Sequence, residues 1–77
     1  MEAYSAEAKQ IPLGVYEHYK GNQYRLLTIA RHSETCEEFV VYESLYGDHD
    51  VWVRPLSLFT ETVLWNGKEI PRFRLTE

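Results

Sequence analysis

His32-Ser33-Glu34-Thr35 sets an imidazole, two hydroxyls and a carboxylate side by side, more polar chemistry than a turn requires. An imidazole beside a hydroxyl is the raw material of an activated nucleophile, and one beside a carboxylate that of a general base. Both need converging side chains, which sequence neighbours seldom provide, and no glycine-flanked elbow surrounds Ser33. The simpler reading is a loop whose Ser33 and Thr35 hydroxyls satisfy backbone N–H groups while Glu34 is solvated. Three histidines and one cysteine include no CxxC or HxxxH pair, whereas structural zinc takes four N or S ligands. A hairpin turn centred between Gly21 and Asn22 would put His18 opposite about Arg25, seven strand positions from His32 and roughly 20–25 Å away. Asp48-His49-Asp50 lacks the frame of a calcium loop and reads as turn chemistry. No metal or cofactor is expected.

Arg54 and Arg72 are the cations with most to offer. Both sit beside prolines, in Arg54-Pro55 and Pro71-Arg72, at strand ends that could share one rim. A guanidinium fork matches a carboxylate or phosphate bidentately. The competing reading is internal, with either arginine pairing Glu34, Glu38 or Glu43 to lock strand register. Among the aromatics, Phe39, Trp52, Phe59 and Phe73 fall in apolar periods and read as core. Tyr16, Tyr42 and Tyr46 alternate with apolar residues and read as one outer face. That face is either a groove for an extended ligand or ordinary strand filling.

Short β-like runs separated by turn signals must position these groups. Residues 1–11 lack a sustained period and are expected to form a flexible tail, with at most one helical turn, outside the core. The ordered part starts at Pro12. Runs follow at Leu13 to Tyr19, Gln23 to Arg31, Glu38 to Tyr46, Val51 to Arg54, Thr60 to Leu64 or Trp65, and Lys68 to Leu75. Lys20-Gly21-Asn22 and Asn66-Gly67 supply the positive φ that tight hairpins need. Pro55 to Phe59 suits one 3₁₀ or α turn with proline at its first position, and Pro71 restricts the last run to an edge or a bulge. These features predict an all-β, mainly β, domain over residues 12–77: a small SH3-like barrel of five to six strands with one short 3₁₀ turn. An OB-like barrel is the competitor, but it would carry a longer helix between strands three and four.

Seventy-seven residues make one domain at most. Twelve acidic against eight basic side chains leave a net charge of −4, opposite to what phosphate neutralisation would require, so nucleic acid and an acidic membrane are disfavoured partners. No run approaches a membrane span, and no signal-like segment opens the chain. A single cysteine, Cys36, excludes an internal disulfide and fits a cytoplasmic protein.

Pro12-Leu-Gly-Val-Tyr-Glu-His-Tyr-Lys-Gly-Asn-Gln-Tyr, Ile29-Ala-Arg-His-Ser-Glu-Thr, Val40-Val-Tyr, Trp52-Val-Arg-Pro-Leu and Pro71-Arg-Phe together resemble the bacterial family catalogued as domain of unknown function 1653. The resemblance runs from about Pro12 to Leu75. It implies a small cytoplasmic SH3-like barrel and no particular activity. Its polar motif falls on His18, Lys20, His32, Ser33, Glu34, Thr35, Arg54, Pro55 and Arg72.

Polar and aromatic residues in excess of folding needs, without a catalytic constellation, favour a binding module. Its rim would comprise His18, Lys20, His32, Ser33, Glu34, Arg54 and Arg72, backed by Tyr16, Tyr42 and Trp52. A protein segment or a small anionic ligand is the expected partner. Two alternatives stay open: a small enzyme or metal-dependent domain using His32, Ser33 and Glu34, and an accessory subunit that pairs through an edge strand such as Lys68–Leu75.

Overall fold

The computed structural model describes residues 4–77. It contains β1 (Gly14–His18), β2 (Gln23–Arg31), β3 (Glu38–Ser44), β4 (Val51–Pro55), β5 (Thr62–Trp65), β6 (Lys68–Pro71) and β7 (Phe73–Leu75), with short helices α1 (Ala6–Gln10) and α2 (Leu56–Phe59). Strands β4-β3-β2-β1-β7 form an antiparallel sheet, and β5-β6 form a separate hairpin. The all-β class is the one expected. The ladder ends at β4 and β7, which do not pair, so the sheet does not close into the SH3-like barrel expected.

Turn chemistry explains the connections. Asn66 and Gly67 both take positive φ, 52° and 77°, as a two-residue hairpin between β5 and β6 requires. The first hairpin turns earlier than the sequence suggests: the His18 N–H donates to the Asn22 carbonyl at 2.8 Å and Gly21 N–H to His18 at 2.7 Å. His18 therefore faces Asn22, not Arg25. Pro71 ends β6, and the strand expected over Lys68–Leu75 is two strands that belong to different sheets. The turn after Pro55 is one α turn, with Pro55 at its N-cap and Thr60 N–H closing onto the Leu56 carbonyl at 3.1 Å.

Strand alternation places one set of side chains inside the curl of the sheet. The register sets His18 against Phe73, Tyr16 against Tyr24, Leu26 against Tyr42, Tyr42 against Trp52, and Val40 against Arg54. A bulge between Leu26 and Thr28 breaks the period. It lets Leu26 and Ile29 both pack toward the core and turns Leu27 outward. Tyr16, Leu26, Val40, Tyr42, Leu56, Phe59 and Phe73 are the buried centre. Two expectations are corrected here. Tyr16 and Tyr42 are core, not outer face, while Trp52, read as core, is 51% exposed.

Part of the segment read as a tail also joins the core. Ser5 caps α1 by accepting from Ala8 N–H at 3.1 Å. Its own N–H and hydroxyl donate to the two Glu38 carboxylate oxygens at 2.7 Å each. Ala8 is buried, and Tyr4 packs against the same cluster. Residues 1–3 of that segment lie outside the described residues. Among the described residues no helix is long and apolar enough to cross a membrane.

Candidate functional site

The polar residues singled out in the sequence divide between two ends of the sheet. His32, Ser33, Glu34 and Thr35 form the β2–β3 turn. Asn22, which faces His18, lies ten residues before His32, roughly 30 Å of strand at ~3.3 Å per residue. The two histidines therefore serve different places.

The β2–β3 turn is organised by its imidazole. His32 Nδ1 accepts from the backbone N–H of Glu34 at 3.1 Å and of Thr35 at 3.3 Å. Thr35 Oγ1 accepts from Glu37 N–H at 3.2 Å, and Cys36 takes φ 63° to close the loop. Ser33 donates to the Glu34 carboxylate and makes no bond to His32. An imidazole that faces backbone donors is not aimed at the serine, so the arrangement lacks the nucleophile–base contact that covalent catalysis needs. Among the described residues, no three His, Cys, Asp or Glu side chains gather as a metal site.

The other end brings cations and aromatic rings together around Phe73. Its ring stacks on Phe59 with centroids 4.4 Å apart, and meets His18 edge-on at 5.0 Å and Tyr24 at 5.7 Å. The Arg54 guanidinium carbon lies 5.4 Å from the Phe73 centroid, within cation–π reach, and Arg54 Nε donates to the Tyr42 hydroxyl at 3.3 Å. Arg54 comes from an edge strand yet points inward, because its parity matches that of Val40 and Tyr42. Among the described residues no carboxylate pairs with it. The expected pairings of the arginines with Glu34, Glu38 or Glu43 are replaced: Arg72 binds Glu61 through Nε at 3.0 Å and Nη2 at 2.6 Å. Glu38 serves Ser5 instead, and Glu43 lies 3.9 Å from His49.

His18 completes this mouth. Its Nδ1 accepts from Lys20 N–H at 3.1 Å, which in the neutral ring leaves the proton on Nε2. Burial, then the charges of Arg72, Arg54 and Lys20, hold its pKa below the ordinary histidine value. Four basic side chains thus converge in a chain whose net charge is −4. On the far rim Tyr24 and Tyr46 share a hydroxyl–hydroxyl hydrogen bond of 2.9 Å, and burial together with that bond pushes Tyr24 up to about 12. Trp52 Nε1 donates to the buried Ser44 hydroxyl at 3.0 Å, which fixes the half-exposed indole beside Tyr42. Of the nine candidate residues, His18, Lys20, Tyr42, Arg54 and Arg72 gather here, with Trp52 next to them; His32, Ser33 and Glu34 do not. Tyr24 and Glu61 were missed, and Phe73 was read only as core. Only the curl of the sheet sets Phe73 against the cations.

Two clefts flank this architecture. One of about 260 Å³ lies behind His18, lined by Glu17, His18, Tyr19, Ile70, Pro71 and Arg74. The other, about 210 Å³, is lined by Ala30, Arg31, His32, Phe39 and Val53. Arg54 lines neither.

A family model described as a protein of unknown function, DUF1653, matches residues 14–75. The crystal structure of a DUF1653 protein from Bordetella bronchiseptica is similar over 90% of this chain and 91% of that one, with a TM-score of 0.82 and 38% sequence identity. No curated protein matches.

Proposed function

The chain belongs to the DUF1653 family, and from that premise we propose that it is a binding module whose cationic, aromatic mouth takes a carboxylate carried on a protein segment. The observation that carries this reading is Arg54. Arg54 is half-buried with its side chain on the inner face, its Nε is held by Tyr42, and among the described residues it has no carboxylate partner. Partly desolvated guanidinium groups are normally paired, because an uncompensated charge away from water is costly. The terminal nitrogens keep the fork that matches a carboxylate bidentately. His18 adds an Nε2–H donor and the neighbouring charges add an attractive potential. Trp52 and Tyr46 supply exposed rings on which a side chain can pack.

Titration with an extended acidic peptide, followed by amide and arginine Nε–H NMR shifts, tests the proposal against the same peptide with Asn and Gln in place of its acids. Binding of the acidic peptide, weakened about tenfold or more by neutralisation or by Arg54→Ala, is the expected result. Circular dichroism confirms that the variant is folded. Equal binding of both peptides, or full binding by the variant, would refute it.

A further inference from the structure

Strand β4 is an edge with an unusual surface. Val51, Trp52 and Val53 are 59%, 51% and 63% exposed, three consecutive large apolar residues on an open strand. Natural edges are usually blunted by lysine, proline or a bulge to prevent strand addition. Here Pro55 and the inward-pointing Arg54 blunt only the end of the strand, and residues 51–53 carry neither a charge nor a bulge.

The backbone parity of this edge is set by the ladder. Ser44 N–H donates to the Asp50 carbonyl at 2.9 Å, and the same register sets Tyr42 against Trp52 and Val40 against Arg54. Residues 50, 52 and 54 therefore turn their N–H and C=O groups toward β3, and residues 51 and 53 turn theirs to solvent. The sequence Asp50-Val51-Trp52-Val53-Arg54 is complementary to itself when reversed.

We propose that β4 pairs antiparallel with β4 of a second copy about a two-fold axis at Trp52, the copy's Asp50 being the carboxylate that Arg54 receives. The inference rests on the reading that Arg54 takes a carboxylate, and names the partner. In this register Val51 faces the partner's Val53, a pairing in which both residues exchange N–H and C=O bonds using the groups that point outward. Trp52 faces the partner's Trp52, and Asp50 faces the partner's Arg54, both as close, non-hydrogen-bonded pairs on the inner face. Moving the two-fold axis by one residue, to Val53, shifts the register by two, places Trp52 against the partner's Arg54 and leaves Asp50 without its cation. Both charged pairs are satisfied by one symmetry operation, as an isologous contact requires. Pro55 lacks an N–H and limits the ladder to this short stretch. A strand this short buries less than the ~1,600 Å² of a standard interface, so the pairing is reversible and concentration-dependent.

Sedimentation equilibrium from about 10 µM to about 1 mM covers the affinities expected of such a contact. The weight-average mass should rise from that of the 9.1 kDa chain toward twice that value. Asp50→Arg should weaken the dimer about tenfold or more, and Asp50→Arg/Arg54→Asp should restore it to within about threefold. Val53→Lys, on the exposed face, should leave a folded monomer. A wild-type mass that stays at one chain throughout overturns the pairing, as does a dimer indifferent to both Asp50→Arg and Val53→Lys. The acidic-peptide titration separates the two proposals: a monomer that still binds the peptide through Arg54 retains the binding reading and loses only the second copy as partner.

Discussion

Replacing Phe73 with alanine should strongly destabilise the protein, and the size of the effect follows from its contacts. The ring is only 7% exposed and touches Phe59, His18, Tyr24, Tyr42 and the Arg54 guanidinium. Truncating a buried phenylalanine costs about 3–5 kcal/mol in transfer and cavity terms. Chains of this length have a net stability of roughly 4–12 kcal/mol. At ~4–8 °C per kcal/mol, the midpoint of thermal unfolding should fall by about 12–40 °C. Phe73→Leu keeps most of the volume and loses the ring contacts, so it should cost about 1–2 kcal/mol and free Arg54 from its cation–π contact. Urea and thermal unfolding followed by circular dichroism measure both variants. A drop below about 5 °C for Phe73→Ala would mean that the ring does not join sheet, α2 and mouth, and the reasoning would fail.

Gly14 takes φ 147°, and a Cβ there would lie 2.2 Å from the Glu77 carbonyl oxygen, so Gly14→Ala should lower stability by about 1–3 kcal/mol in urea melts. The folded pKa of His18 lies below its unfolded value of about 6.5. The unfolded chain thus binds more protons in this window, and stability should fall as pH drops from about 6.5 through the folded value. In His18→Gln that segment of the stability–pH curve should flatten; an unchanged slope would place the shift elsewhere. Glu38 is held below the ordinary carboxylate value by its hydrogen bonds to the Ser5 hydroxyl and N–H, with a smaller contribution from Arg31. Ser5→Ala should therefore raise the Glu38 pKa in an NMR titration and increase amide exchange in α1. Stability from this contact is present above the unfolded Glu38 pKa and is lost as pH falls through the folded one.

Much of the fold is legible in the sequence. Asn66-Gly67, Gly21 and Pro55 need particular φ values that are local properties of the chain, and they mark hairpins and a helical turn wherever the rest of the chain goes. Alternation over Glu38 to Ser44 likewise predicts which residues share a face. The β2 strand obscured its own pattern, since Leu26, Leu27, Ile29 and Ala30 are apolar on both faces until a bulge removes Leu27 from the count. Trp52 misled for a different reason. Its flanking valines look like a core strand, but they lie on the outer face, and Trp52 itself stands at the sheet edge, so all three are exposed.

The candidate site depended on distances the chain does not encode locally. A small change in the hairpin turn moved the partner of His18 from Arg25 to Asn22 and lengthened the separation of the two histidine motifs from the seven strand positions expected to ten. Residue types alone determined the available chemistry, guanidinium and imidazole groups with tyrosine and tryptophan rings, whereas the turn-capping role expected of Ser33 falls to His32. Tertiary structure decided which of these meet. Sheet curl carries Phe73 from the last strand to Arg54 on the fourth, and cross-strand parity turns that arginine inward. Both effects arise from long-range register, in which one residue's slip would exchange the buried and exposed faces.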